Sequence, residues 1–76
     1  LINHHNQRLD ILKNELLKRN ITVYDSLSLI FDRKIGNEQM HFAIGEARSH
    51  LINLVETGYA KKISDSNKVE WFSLNN

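Results

Sequence analysis

Glu46 and His50 form the residue pair that comes nearest to a catalytic or metal-binding motif in this sequence. They lie four residues apart, so on a helix their side chains project from one face, as two zinc ligands would. A zinc site needs three or four convergent ligands, and the zincin pattern H-E-x-x-H is absent. We therefore expect His50 to lie at the border of a buried face and to hydrogen-bond to the neighbouring backbone. No catalytic residue, metal ligand or cofactor is predicted for this chain.

Two histidines and an arginine near the start, at His4, His5 and Arg8, suggest a contact surface. Adjacent helical residues point about 100° apart, so the two histidines cannot chelate one ion together. His5 and Arg8 are three residues apart and share a helix face. Because arginine can pair bidentately with a carboxylate, we expect this face to contact a neighbouring domain or a substrate. His50 is a third candidate for such a contact, and an exposed pair without a partner is the alternative for His5 and Arg8.

A DNA-reading surface would use Arg48 and Asn53, with Lys61 and Lys62 further along the chain. DNA-binding domains usually carry a basic face. Here ten Lys and Arg are offset by nine Asp and Glu, which leaves a net charge of +1. Nucleic acid is therefore not the expected partner.

The composition is that of an ordinary globular chain with one small core: 76 residues, 41% hydrophobic and 25% charged. The absence of cysteine excludes disulfides, thiol catalysis and thiolate zinc sites. No apolar stretch approaches the ~20 residues that cross a membrane. We expect a single cytoplasmic domain over residues 1–76, without a membrane partner. The chain starts at Leu1 and not at methionine, so we expect it to be a piece of a larger protein.

The elements that would position these residues follow from the apolar periodicity. A first amphipathic helix is predicted from His4 to Arg19, and a second after Thr22, where Asp25 completes a capping box. A third helix is predicted from a cap at Asn37 to Gly58, with one apolar stripe formed by Met40, Ala43, Ile44, Ala47, Leu51, Leu54 and Val55.

The last segment changes from helical to strand-like periodicity. "YAKKI" and "VEWFSL" flank the polar turn "SDSNK", which predicts a β-hairpin. Because adjacent strand residues face opposite ways, only one of Trp71 and Phe72 can enter the core. The predicted fold is α+β and mainly α: a winged helix-turn-helix of three helices followed by a two-stranded hairpin.

In order and spacing, "HHNQRLDIL", "TVYDSLSLIF" and "QMHFAIGEARSHLINLVETGYAKK" resemble the C-terminal domain of bacterial metallo-β-lactamase-fold hydrolases. These are glyoxalase II-like, zinc-dependent enzymes with an appended winged helix. The resemblance rests on His4, His5, Arg8 and Leu9, and on the block that contains Phe42, Ala43, Glu46, His50, Leu51, Leu54 and Gly58.

The resemblance implies a parent enzyme whose N-terminal domain binds one or two zinc ions through an H-x-H-x-D-H motif. A metal-bridging water would there attack a thioester, an ester or a phosphodiester. The present chain would pack on that hydrolase domain and shape substrate access, without catalysis of its own. The alternative is the DNA-binding domain of a transcriptional regulator, since one fold serves both functions. A homo-oligomer is left open.

Overall fold

A computed structural model describes residues 4–31 and 34–75, with side chains from residue 6 onward. Its elements are α1 (His4–Leu16), β1 (Ile21–Thr22), α2 (Val23–Ile30), a 3₁₀ turn (Asn37–Gln39), α3 (Met40–Glu56), β2 (Ala60–Ser64) and β3 (Glu70–Leu74). The predicted class, α+β and mainly helical, is confirmed. None of the helices within the described ranges is long and apolar enough to cross a membrane.

The sheet has three antiparallel strands in the order β1-β3-β2, where the sequence predicted two. β2 and β3 form the predicted hairpin, with Lys62 opposite Phe72. β1 adds a third strand and places Ile21 opposite Phe72 from the other side. β1 is only two residues long, too short to show strand alternation, so no sequence pattern predicted it.

The two neighbouring aromatic residues of β3 face opposite sides of the sheet, as predicted. Phe72 is fully buried. Trp71 is partly exposed, and its indole N–H donates to Asp65 Oδ2 at 3.0 Å. Asp65 Oδ1 also accepts the backbone N–H groups of Asn67 and Val69, so this carboxylate organises the hairpin turn. The bond from Trp71, followed by that from Val69, lowers the pKa of Asp65.

The capping box predicted for α2 is present. Asp25 N–H donates to Thr22 Oγ1 at 3.1 Å, and Thr22 N–H donates to Asp25 Oδ2 at 3.0 Å. Two backbone donors at the helix start are thereby satisfied. Because Thr22 also belongs to β1, this cap turns the chain directly from the sheet into α2.

α3 begins later than the sequence predicted and ends where it predicted. Asn37 does not cap α3: it lies in the 3₁₀ turn, and the α-helix starts at Met40. Such turns are frequent at helix starts and carry no separate periodic signal. At the other end Gly58 has φ +84°. Gly58 N–H donates to the carbonyl of Val55 and Tyr59 N–H to that of Leu54, which is the Schellman arrangement.

The core lies between the three helices and the sheet. Its buried members are Leu12, Leu16, Ile21, Leu27, Ile30, Ala43, Ala47, Leu51, Leu54, Ala60 and Phe72. Ala43, Ala47, Leu51 and Leu54 of the predicted α3 stripe are in this list, and Met40 and Val55 are partly buried against it. Ile44 lies at the edge of the stripe and is 40% exposed.

Candidate functional site

Arg8 joins three elements of the domain. Its guanidinium forms an ion pair with the Glu46 carboxylate, which links α1 to α3. Its Cζ atom also lies 4.9 Å from the centre of the Phe31 ring, directly after α2, in cation–π contact. Glu46 Oε2 is shielded from solvent, so Arg8 is the charge that compensates it. Arg8 therefore holds α1 against α3 and the end of α2.

His50 is buried on α3, with 5% of its surface exposed. Its Nδ1 lies 2.6 Å from the carbonyl oxygen of Glu46. A carbonyl oxygen only accepts, so Nδ1 carries a proton and donates it. This is the bond to the neighbouring backbone that the sequence predicted. Among residues 6–31 and 34–75, no group of three or more His, Asp or Glu could hold a metal ion.

A groove runs between α1 and α3 beside this histidine. It encloses about 410 Å³ and is lined by Leu9, Glu46, Ser49, His50 and Asn53. We call it the α1–α3 groove. Four of its five lining residues have polar side chains, and the carboxylate of Glu46 is paired with Arg8. The groove brings together His50, a residue of the domain-contact hypothesis, and Asn53, a residue of the DNA-reading hypothesis.

A second surface lies where α2, the loop after it and the start of α3 meet. We call it the aromatic face, and it consists of Tyr24, Phe31, Ile35, Met40 and Phe42. Two shallow concavities of about 420 and 220 Å³ indent it and share Phe31 and Ile35. Phe42 is 83% exposed and Tyr24 78%. No sequence pattern predicted this face, although one signal was present: Phe42 falls outside the apolar stripe of α3.

The aromatic face and the α1–α3 groove are continuous. Glu46 lines both the smaller concavity and the groove. Phe42, Glu46, Ser49 and Asn53 recur at i, i+4, i+7 and i+11, so they follow one flank of α3. One surface therefore extends along this flank, with the Arg8–Glu46 pair at its middle.

The other flank of α3 faces the sheet through Arg48. Its Nε and Nη2 donate to the two carboxylate oxygens of Glu70 at 3.1 and 3.2 Å, and Lys62 Nζ lies 3.2 Å from Glu70 Oε2. The hydrogen bonds from Arg48 and then from Lys62 lower the pKa of Glu70 to about 2. Arg48 and Asn53 are five residues apart and so point about 140° away from each other.

The four residues of the DNA-reading hypothesis thus do not form one free basic surface. Glu70 pairs with both Arg48 and Lys62, Asn53 lies in the α1–α3 groove, and Lys61 is exposed on β2.

Of the residues proposed to contact a neighbouring domain or substrate, the side chain of His5 lies outside the described residues. Arg8 and His50 make the contacts within the domain that are given above. A contact of these three residues with a second domain stays a prediction.

The family model for the metallo-beta-lactamase-like, C-terminal domain matches residues 9–75. The chain belongs to this family. The resemblance seen in the sequence is thereby confirmed at the level of the superfamily and of the domain's place in it. The matched region of this metallo-beta-lactamase-like domain includes the whole aromatic face and the α1–α3 groove.

Among solved structures, the domain is similar to a beta-lactamase domain protein from Burkholderia ambifaria. The two are 25% identical with a TM-score of 0.87, and the match covers 93% of this chain and 21% of that chain. This metallo-beta-lactamase-like domain thus spans about a fifth of that protein's length. No curated protein matches the sequence.

Proposed function

We propose that this chain is the accessory C-terminal winged-helix domain of a zinc-dependent hydrolase, that it packs on the N-terminal catalytic domain, and that it shapes substrate access. The observation that carries the proposal is the family match over residues 9–75. The similar protein from Burkholderia ambifaria is about five times as long as the matched region, which leaves room for a catalytic domain.

The order of the elements supports the winged-helix part of the proposal. A helix, a short strand, two helices and a hairpin follow one another, and the short strand pairs with the last strand of the hairpin. Winged helices serve both as DNA readers and as docking modules, so the two functions must be distinguished by the charges on the surface. Because Glu70 pairs with Arg48 and Lys62, two of the three basic residues of the DNA-reading hypothesis are neutralised, which favours docking.

Zinc would be held by the catalytic domain, through the H-x-H-x-D-H motif that the family resemblance implies. The described residues of this chain do not fit zinc, because no three of its possible ligands converge. Zinc in the catalytic domain would supply an activated water for hydrolysis. The residues of the present chain would bind part of the substrate and restrict which substrates enter.

The α1–α3 groove is the part of the domain that would shape access. Ser49 and Asn53 are exposed at its wall, while His50 is held in place by its bond to the Glu46 carbonyl. The Ser49 hydroxyl and the Asn53 amide present neutral hydrogen-bonding atoms beside the apolar side chain of Leu9. Such a lining suits the polar but uncharged part of a substrate.

The test uses the full-length polypeptide. We expect one or two zinc ions per chain by elemental analysis, and hydrolysis of at least one member of a panel of thioesters, carboxylic esters and phosphodiesters. A zinc-free, inactive protein would contradict the zinc hydrolase.

The role in access is tested with Asn53→Trp, which fills part of the α1–α3 groove. The matched control is Asn14→Trp, at an exposed position of α1 about 140° from Leu9 around the helix. Asn53→Trp should lower kcat/KM for a bulky substrate by about tenfold, or ~1.4 kcal/mol, and leave a small substrate unaffected. Equal losses for both substrates, or an equal effect of Asn14→Trp, would contradict a role in access.

A further inference from the structure

The aromatic face has more exposed apolar surface than an isolated hydrophobic residue would give. Single exposed apolar residues are ordinary, but a contiguous patch marks an interaction site. Phe42 and Tyr24 project from different helices, and Phe31, Ile35 and Met40 are half-buried between them. Side chains of a partner could enter the two concavities of this patch.

Among the described residues that line the two concavities, three are charged, and two of these have a compensating contact. Asp25 caps the start of α2, and Glu46 is paired with Arg8. Lys34 lies at the rim. An apolar protein surface therefore suits this face better than a charged ligand does, since interface centres are depleted in charged residues and enriched in aromatic ones.

The position where the chain enters the domain indicates which partner this is. α1 begins at His4, and Arg8, about one turn later, contacts the Phe31 ring of the aromatic face. A domain attached before α1 is thus tethered beside this face. A short tether gives an effective concentration on the order of millimolar, which favours the tethered domain over a second copy of the chain in dilute solution.

We propose that the aromatic face is the surface on which the preceding domain of the same polypeptide docks, with Phe42 and Tyr24 as its anchors. The inference rests on the proposed function and deepens it by naming the surface. Aromatic anchors at the centre of an interface carry much of its binding energy because they are fully removed from water.

Hydroxyl-radical footprinting of the full-length polypeptide, read by mass spectrometry, measures the exposure of these side chains in the intact protein. Leu17 is the internal reference, because it is 65% exposed at the other end of α1. After correction for intrinsic reactivity, Phe42 and Tyr24 should be labelled about tenfold more slowly than Leu17, as expected of desolvated anchors. Protection should not depend on protein concentration.

Phe42→Ser, compared with the control Leu17→Ser, shows whether Phe42 is needed to keep the aromatic face buried against the preceding domain. In the full-length protein, Phe42→Ser should increase the labelling of Tyr24 severalfold, whereas Leu17→Ser should not. Both positions are exposed in the structure of the domain, so neither change removes a core side chain.

Two results would overturn the inference. Labelling of Phe42 and Tyr24 as fast as that of Leu17 would show that the face is open to solvent. Protection that appears only at high concentration, together with a doubled mass, would assign the face to a second copy of the chain. Neither result touches the zinc content or the Asn53→Trp comparison, so the proposed function would stand or fall separately.

Discussion

Replacing Arg8 by methionine removes the guanidinium that joins α1, α3 and the end of α2, while it keeps most of the aliphatic stem. Two interactions are lost at once: the ion pair with Glu46 and the cation–π contact with Phe31. The change also leaves Glu46 Oε2, which is shielded from solvent, without its compensating charge. Arg48→Met is the matched control, because that arginine lies on the exposed flank of α3 that faces the sheet.

The expected loss of stability for Arg8→Met follows from the exposure of the pair. The Arg8 and Glu46 side chains are 26% and 36% exposed, so their attraction is partly screened by solvent. We assign about 0.5–1 kcal/mol to the ion pair and a similar amount to the cation–π contact. The sum, about 1–2 kcal/mol, corresponds to a fall in Tm of roughly 5–15 °C for a domain of this size.

Urea denaturation of the 76-residue chain, followed by far-UV circular dichroism, measures this free energy of unfolding. A double-mutant cycle of Arg8→Met with Glu46→Gln should give a coupling energy of about 0.5–1 kcal/mol. Arg48→Met should destabilise the domain less than Arg8→Met does. Additive effects of the two changes at Arg8 and Glu46, or a wild-type midpoint for Arg8→Met, would refute the assignment of Arg8 as the link between the helices.

Three further predictions concern the core, the charge cluster and nucleic acid. Leu51 is fully buried, so Leu51→Ala should cost about 2–5 kcal/mol, whereas Ile44→Ala on the same helix should cost less than ~1 kcal/mol; a wild-type-like melting curve for Leu51→Ala would show that the helix phase is wrong. The pKa of Glu70 falls from 4.5 to about 2 on pairing with Arg48 and Lys62, so its contribution to stability is present above pH 4.5 and is lost as the pH falls towards 2. Acid unfolding of Glu70→Gln should therefore depend less steeply on pH across this window, and an unchanged slope would contradict the pairing. Fluorescence anisotropy should detect no useful binding of duplex DNA at physiological salt, whereas micromolar binding with a steep salt dependence would favour the regulator alternative.

The local parts of the fold could be predicted from the sequence because local signals encode them. Residues close together in the sequence determine three such features. These are the capping box at Thr22 and Asp25, the end of α3 at Gly58, and the hairpin around its polar turn. The third strand was missed because Ile21 and Thr22 pair with residues far along the chain. Two residues in extended conformation show no period.

The candidate site was only partly predictable for the same physical reason. The shortage of zinc ligands and the position of His50 beside the apolar stripe correctly predicted a histidine bonded to the neighbouring backbone. The partner of Glu46, however, is Arg8 on another helix, and the partner of Arg48 is Glu70 on the sheet. Such pairings depend on how the helices pack, which a helical repeat does not specify.

Apolar periodicity does not predict the aromatic face. An apolar stripe identifies the side chains that enter the domain's own core. Phe42 lies off the stripe, so the stripe predicts no contact for it. The strand pattern predicts an outward-facing aromatic residue on the hairpin. Trp71 does face outward there, but Phe42 and Tyr24 are the more exposed aromatic residues, on α3 and α2.

The central claim, that this domain docks on a catalytic domain of the same polypeptide, is tested most directly by ¹⁵N NMR relaxation. Residues 1–76 would be isotopically labelled by segmental ligation within the otherwise unlabelled full-length protein. A docked domain predicts that the amides of α3 report the rotational correlation time of the whole particle. Amides that tumble with the shorter correlation time of a free 76-residue domain would contradict the claim.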